Sequence, residues 1–229
     1  PYIARPTIAV AGTDHSFVWG SYQLDDTGSI AEDRRFFFDA ATGAFRAGEA
    51  TAAEWDAANR GAQSAAFGYD NKSSGAMSMT WGSSNTATAN SATAGGFWND
   101  ATGSYSVALG KSNAASAANS VAIGLANTVD QAGSAAIGSS NTAGGGGAGD
   151  AMAIGSYNAA VGTGAIAIGT GTNGGNLNTA SGTRSTVVGF ENDASGLDAH
   201  AYGSRNAVSA QDSMAFGRAI EIGDVSSYG

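Results

Sequence analysis

Few residues in this chain have the types and spacing that chemistry needs. GGGGAG at 144–149 fits G-x-G-x-x-G, the spacing that lets a glycine-rich turn approach a pyrophosphate. That use requires a buried strand before it and a helix after it in a βαβ unit, and neither flank has such a pattern. His15 and His200 stand alone, so neither has a metal-ligating or general-base partner nearby in sequence. Asp25–Asp26 and Glu32–Asp33 are the paired carboxylates on which glycosidic acid–base chemistry could draw. Both pairs lie in polar loop sequence and read as solvated charge, and no acidic cluster interrupts the rest of the chain. The serines of note all recur at a fixed interval, which speaks against a Ser–His–Asp triad. The expectation is a protein without catalytic residues, cofactor or metal.

Composition narrows the partners. Ten Lys and Arg against nineteen Asp and Glu give a net charge of −9, and the only lysines are Lys72 and Lys111. A phosphate backbone is bound by clustered cations, so nucleic acid is not an expected partner. There is no cysteine, which excludes disulfides and thiolate metal sites. No apolar run reaches membrane-spanning length, and no signal peptide is visible at Pro1. Glycine is abundant at 35 residues while proline is scarce at 2, so the chain is not collagen-like. With 42% hydrophobic and 13% charged residues it is not disordered either. The excess lies in Ala, Gly, Ser, Thr and Asn, which let backbones approach closely.

What positions these residues is a repeat. Gly68, Gly82, Gly96, Gly110, Gly124, Gly138, Gly155, Gly169, Gly189, Gly203 and Gly217 each close a short apolar segment. Eight of the ten intervals are fourteen residues; the other two, seventeen and twenty, contain GGGGAGD (144–150) and TGTNGGNLNT (170–179). Both read as loop insertions. The first has the glycine density of a calcium-binding β-roll turn, a device that works in tandem copies, and it occurs once. Three residues after the glycines from Gly68 to Gly203 stand Asn71, Asn85, Asn99, Asn113, Asn127, Asn141, Asn158, Asn192 and Asn206, and Asn178 fills the same place once the second insertion is discounted. Glycine accepts positive φ, and Asn tolerates the left-handed region. The Gly–Asn pair therefore predicts a corner made once per coil, with the asparagines stacked in a hydrogen-bonded structural ladder. The only glycosylation sequon, NKS at 71–73, falls on this ladder and is not expected to be used.

The residues before each glycine alternate with period two, the signature of a strand. Phe67, Trp81, Leu109, Ile123, Ile137, Ile154, Ile168, Val188, Tyr202 and Phe216 directly precede it, with Gly95 the exception. The residue before these is Ala in nine of eleven coils, Thr80 and Val187 being the exceptions. The large residues are expected to fill the coil's own core. The Ala face then becomes the contact with another chain, through Ala108, Ala122, Ala136, Ala153 and Ala167. His200 falls where other coils have Val, Met or Thr and reads as a packed or interface residue. The fold class is all-β, a parallel β-roll or solenoid of about eleven fourteen-residue coils, each of two short strands and two corners.

NDATGSYSVALG (99–110) and NAASAANSVAIG (113–124) resemble the head repeat of trimeric autotransporter adhesins, the YadA-like head family. The resemblance covers residues 61–217. It implies a left-handed roll and a homotrimer; the sequence carries no neck, heptad stalk or membrane anchor. The stretch before the repeat, 34–61, is similar to a leader found in phage tail-fibre-like proteins, which widens the class to fibres of virions and cell surfaces.

Residues 1–60 hold 14 of the 29 charged residues and both prolines. The expected organisation is a small mixed capping or attachment region (1–60), the head repeats (61–217) and a C-terminal tail (218–229). Strands are expected in 6–12 and 15–24, and a hairpin over 36–45 turning at 41–43. Thr51 and Glu54 have capping-box spacing for a helix over 52–60. Phe36, Phe38, Phe45 and Trp55 are expected to cover the open end of the roll, since an uncapped stack exposes unpaired strand edges. The functional expectation is a non-enzymatic, extracellular trimeric fibre or adhesin segment on a virion or cell surface. Its partners would be an unknown host-surface receptor, glycan or protein, and other fibre or virion proteins. The insertions supply binding-loop candidates: Gly146, Asp150, Thr172, Asn173 and Asn176. The alternatives are a self-polymerising filament subunit joined by strand addition through residues 1–12, and a glycan-active fibre enzyme.

Overall fold

The computed structural model describes residues 9–11, 16–20, 24–25, 33–145, 149–173 and 175–223. The protein is all-β: turns of a parallel β-solenoid follow a small antiparallel region. It forms two compact units, residues 1–111 and 112–229. Four turns belong to the first unit and seven to the second, counted by their five-residue strands from Ala65–Tyr69 to Val107–Lys111 and from Val121–Leu125 to Met214–Arg218. No helix among the described residues is long and apolar enough to cross a membrane.

In the first unit, β1 (Ala9–Ala11), β2 (Ser16–Trp19), β3 (Arg34–Asp39) and β4 (Ala44–Glu49) pair in order as an antiparallel meander. The β3–β4 hairpin turns through residues 40–43, where Gly43 has φ +71°. β4 then pairs in parallel with Ala65–Tyr69, setting Gly48 beside Gly68. The N-terminal region is thus hydrogen-bonded into the first turn, and the boundary expected at residue 60 is bridged by strand pairing.

The cap is built differently from the expectation. Residues 52–60 form two 3-10 turns, Ala53–Trp55 and Ala57–Asn59, in place of one helix. The capping box does not close, because Thr51 Oγ1 binds the Asp70 carboxylate; only Glu54 reaches back, to the Ala52 N–H at 3.1 Å. Trp55 is fully buried with Val18, Phe37, Ala50 and the first-turn Ala66, and its Nε1 donates to Asn71 O at 2.9 Å. Phe37 is the inward ring of β3, while Phe36 is exposed and Phe38 and Phe45 are half-buried. Arg46 is buried and donates to the carbonyls of Phe45, Asn59, Ser64 and Ser73. Burial, followed by the neighbouring charge of Arg60, pushes its pKa down to about 10, so it is still a cation at neutral pH.

Every turn repeats one plan. In the second unit, Thr128–Val129 is the short strand of a turn and Ala135–Ser139 the long one. Long strands pair in parallel and in equivalent register, so Ala122, Ala136, Ala153 and Ala167 form one row. The first corner needs its glycine: Gly124 has φ +121°, and a Cβ there would overlap the Gly138 carbonyl oxygen. The left-handed residue is not the asparagine but the one before it, as at Ala126 (φ 54°), Ser140 (φ 54°) and Arg205 (φ 56°). A second left-handed residue, such as Asn119 (φ 55°), turns the other corner. With the reversal made one residue earlier, each Asn side chain is free to point inward.

The interior reverses the expected assignment of faces. The inward residues of one turn are Asn127, Val129, Ser134 and Ala136, each at most 1% exposed. Ala108, Ala122, Ala136, Ala153 and Ala167 are all completely buried within their own chain. They are core residues, so they are not the surface through which another chain is met. A two-residue strand facing a five-residue strand leaves space for small side chains, chiefly Ala and Ser with single Val, Thr or Asn groups, and none for a column of Ile; overpacking of that kind is destabilising. The larger residues point outward: Met152, Ile137 and Met214 are 40%, 39% and 49% exposed.

Candidate functional site

The asparagine ladder is a buried hydrogen-bond column. In the first unit Asn85 Nδ2 donates to Asn71 Oδ1 at 3.0 Å, and Asn99 Nδ2 to Asn85 Oδ1 at 2.9 Å. Within the second unit the same kind of link runs from Asn113 through Asn127, Asn141 and Asn158 to Asn178. At Asn192 the link is its backbone N–H to Asn178 Oδ1, and Asn206 Nδ2 then donates to Asn192 Oδ1. The column ends where Ile220 stands in the Asn position and gives only its backbone N–H to Asn206 Oδ1. All ten asparagines are at most 1% exposed, so their role is structural and they offer nothing to a ligand.

Outside this interior, the long strands of the second unit present two apolar columns. One runs through Val121, Met152 and Ile166, the other through Ile123, Ile137, Ile154 and Ile168. His200 lies in the first column beside Tyr202 of the second, and the Tyr202 and Phe216 rings stack at 4.8 Å. In the first unit, Trp81 lies across Gly95 so closely that a Cβ there would clash with the indole, which accounts for the one glycine in that column.

The insertions are unlike each other. Of the first, Gly146 lies outside the described residues. Asp150 is not a loop residue: with φ 58° it takes the left-handed second-corner position, and its N–H donates to Ala132 O at 3.1 Å. The described residues of the second insertion are held by hydrogen bonds within the loop and to Glu191. Gly171 completes the corner, so the added residues are 172–177. The Thr172 N–H donates to Asn176 O at 2.9 Å and closes the loop on itself. Thr172 Oγ1 donates to Glu191 Oε1 at 2.9 Å, and Arg205 Nε donates to Glu191 Oε2 at 2.8 Å. Against its burial, these bonds and one from Asn176, with the Arg205 bond the strongest, hold the Glu191 carboxyl below the usual glutamate range. Asn173 is exposed at the loop's turn and is brought to none of these groups.

Between this loop and the outer face of the short strands lies a cavity of about 350 Å³. Asn176, Leu177, Thr179, Glu191, Asp193 and Arg205 line it. Asp193 is exposed on its short strand; partial desolvation of the carboxylate by its surroundings raises its pKa, and it has no hydrogen-bond or ionic partner among the described residues. Thr172 and Asn176 are therefore brought to one site, while Asp150 and Asn173 are not. The sequence reading missed Glu191, Asp193 and Arg205. A signal existed: Glu191 and Arg205 are one period apart, as are the ion-paired Arg184 and Asp198. Opposite charges separated by one repeat are neighbours on adjacent turns.

Compared with known proteins, the chain matches no family model and no curated sequence.

Proposed function

We propose that this chain is a segment of a non-enzymatic homotrimeric fibre, displayed outside the cell on a virion or cell surface, where it acts as a spacer and multivalent binding scaffold. The observation that carries this reading is the outward apolar face of the long strands. The solenoid interior holds mainly Ala, Ser and Asn, so its own core buries little apolar area. Val, Ile, Met and aromatic side chains stand in register on the outside instead. A contiguous apolar face of this kind is stabilised by burial against another copy. The three-fold stoichiometry rests on the resemblance of the repeat to adhesin heads. Three copies of any weak surface contact would then act together.

Native mass spectrometry tests the assembly. The expected species is a trimer. Ile123→Arg combined with Ile137→Arg should give a folded monomer with an unchanged circular-dichroism spectrum, because both side chains point away from the interior. Ala122→Arg should instead prevent folding. A stable monomer from the unmodified chain would end the trimer reading, and an open series of masses would indicate a filament.

A further inference from the structure

We propose that the cavity between residues 175–177 and the short strands of the second unit binds a neutral hexose, free or at the end of a glycan, with Asp193 accepting from one hydroxyl and Arg205 donating to its neighbour. For the receptor this deepens the fibre reading, on which it rests only for its three-fold multiplication.

The cavity volume of about 350 Å³ lies in the range of small-ligand sites. Its rim is preorganised, because both oxygens of Glu191 are already engaged by Thr172 and Arg205. Glu191 is therefore a positioning residue, and the groups left for a ligand are others. Asp193 offers an unpartnered carboxylate. Arg205 uses Nε for Glu191, its guanidinium lies over the Phe190 ring at 5.6 Å, and its two terminal nitrogens have no hydrogen-bond partner among the described residues. The Thr179 hydroxyl can donate or accept. Leu177, 39% exposed, supplies an apolar wall for the C–H face of a ring. An acceptor and a donor side by side fit adjacent hydroxyls, each of which is both donor and acceptor.

Other ligand classes fit less well. Glu191, Asp193 and Arg205 sum to one negative charge, which disfavours phosphate, sulfate and acidic sugars. A hard cation needs several oxygen ligands, and Asp193 is the one lining carboxylate with both oxygens unengaged. Glycosidic hydrolysis needs two available carboxyl groups, and Glu191 is occupied. The cavity opens on the short-strand sheet, not on the long-strand face proposed for the trimer contact, so that assembly would leave it accessible.

The test is calorimetric titration of the full chain with the methyl α-glycosides of glucose, galactose and mannose, and with N-acetylneuraminic acid as the anionic comparison. At least one neutral glycoside should bind with a dissociation constant on the order of millimolar, and Asp193→Asn should weaken it about tenfold or more. Asn176→Ala should also weaken it, and Asn173→Ala should not; melting temperatures of all three variants check folding. The proposal is overturned if no neutral glycoside binds up to about 50 mM, if N-acetylneuraminic acid binds equally well, or if folded Asp193→Asn keeps its affinity. Native mass spectra of the same samples separate the two readings. A monomer that binds sugar refutes the trimer alone, and a trimer that does not bind refutes the site alone.

Discussion

Removing one rung from the asparagine ladder tests the physical basis of the fold. Asn127 Nδ2 donates to Asn113 Oδ1, Ile123 O and Gly138 O, each at 2.9 Å. Its Oδ1 accepts from the backbone N–H and the Nδ2 of Asn141, both at 3.0 Å. In Asn127→Ala, Asn113 Oδ1 still has the Asn127 backbone N–H, and Asn141 Nδ2 still has Ile137 O and Gly155 O. The Asn141 backbone N–H loses the acceptor it has and stays buried. Two net hydrogen bonds at about 1 kcal/mol each, plus an orphaned buried donor at about 1–3 kcal/mol, give a loss of about 3–5 kcal/mol per chain. Urea unfolding at fixed protein concentration reads the total. Hydrogen exchange at the Asn141 amide reads the local effect, which matters because repeat arrays need not unfold in one step. Asn173→Ala, on the exposed loop, is the control. A loss below about 1 kcal/mol, or an Asn141 amide that stays as protected as before, would refute the claim that the column stabilises the stack.

Further predictions follow from single positions. Gly124→Ala combines φ +121° with a clash against the backbone of the next turn and should cost about 3 kcal/mol or more, whereas Gly175→Ala meets nothing within 4 Å and should cost about 1 kcal/mol by its φ of +105°; paired thermal melts separate them. Ala136→Leu places a larger side chain in a completely buried row and should destabilise by about 1–3 kcal/mol or more, while Ile137→Leu beside it, 39% exposed, should be near neutral. Burial raises the Asp39 pKa, but hydrogen bonds from Thr42, Arg60 and the Ala41 N–H and the charge of Arg60 together hold it below the usual value. Its contribution to stability is therefore complete above about pH 4 and is lost as pH falls through the lower folded value. The charges around it are Arg60, Arg46 and, through Arg60, Asp25. Asp39→Asn should flatten the acid limb of a stability–pH profile and lower stability at neutral pH; an unchanged profile would remove Asp39 from the account.

The period, the corner glycines, the asparagine column and the β3–β4 turn were legible because each is dictated by backbone geometry. Which face points inward was not, because size alone suggested that Ile fills the core. The better signal was tolerance. The inward position holds Ala in nine of eleven turns, whereas the outward position before the glycine accepts Phe, Trp, Leu, Ile, Val, Tyr and even Gly. A narrow gap admits Ala, or at most Thr or Val as at Thr80 and Val187, and an open face admits many sizes. Residues 52–60 misled because Thr51 found a stronger partner in Asp70 than the end of a helix. The cavity groups were hidden because Glu191, Asp193 and Arg205 are ordinary surface residues until the period places them on adjacent turns under an inserted loop.

The uniform interior has a consequence for how such a chain can change length. Each turn meets its neighbours through the same Ala row, the same Gly contact and the same Asn link. An in-frame duplication or loss of one fourteen-residue unit in mid-stack would join surfaces already matched to each other. Length can thus be altered by recombination without redesigning a core, while the outward columns and corner insertions diversify independently from turn to turn.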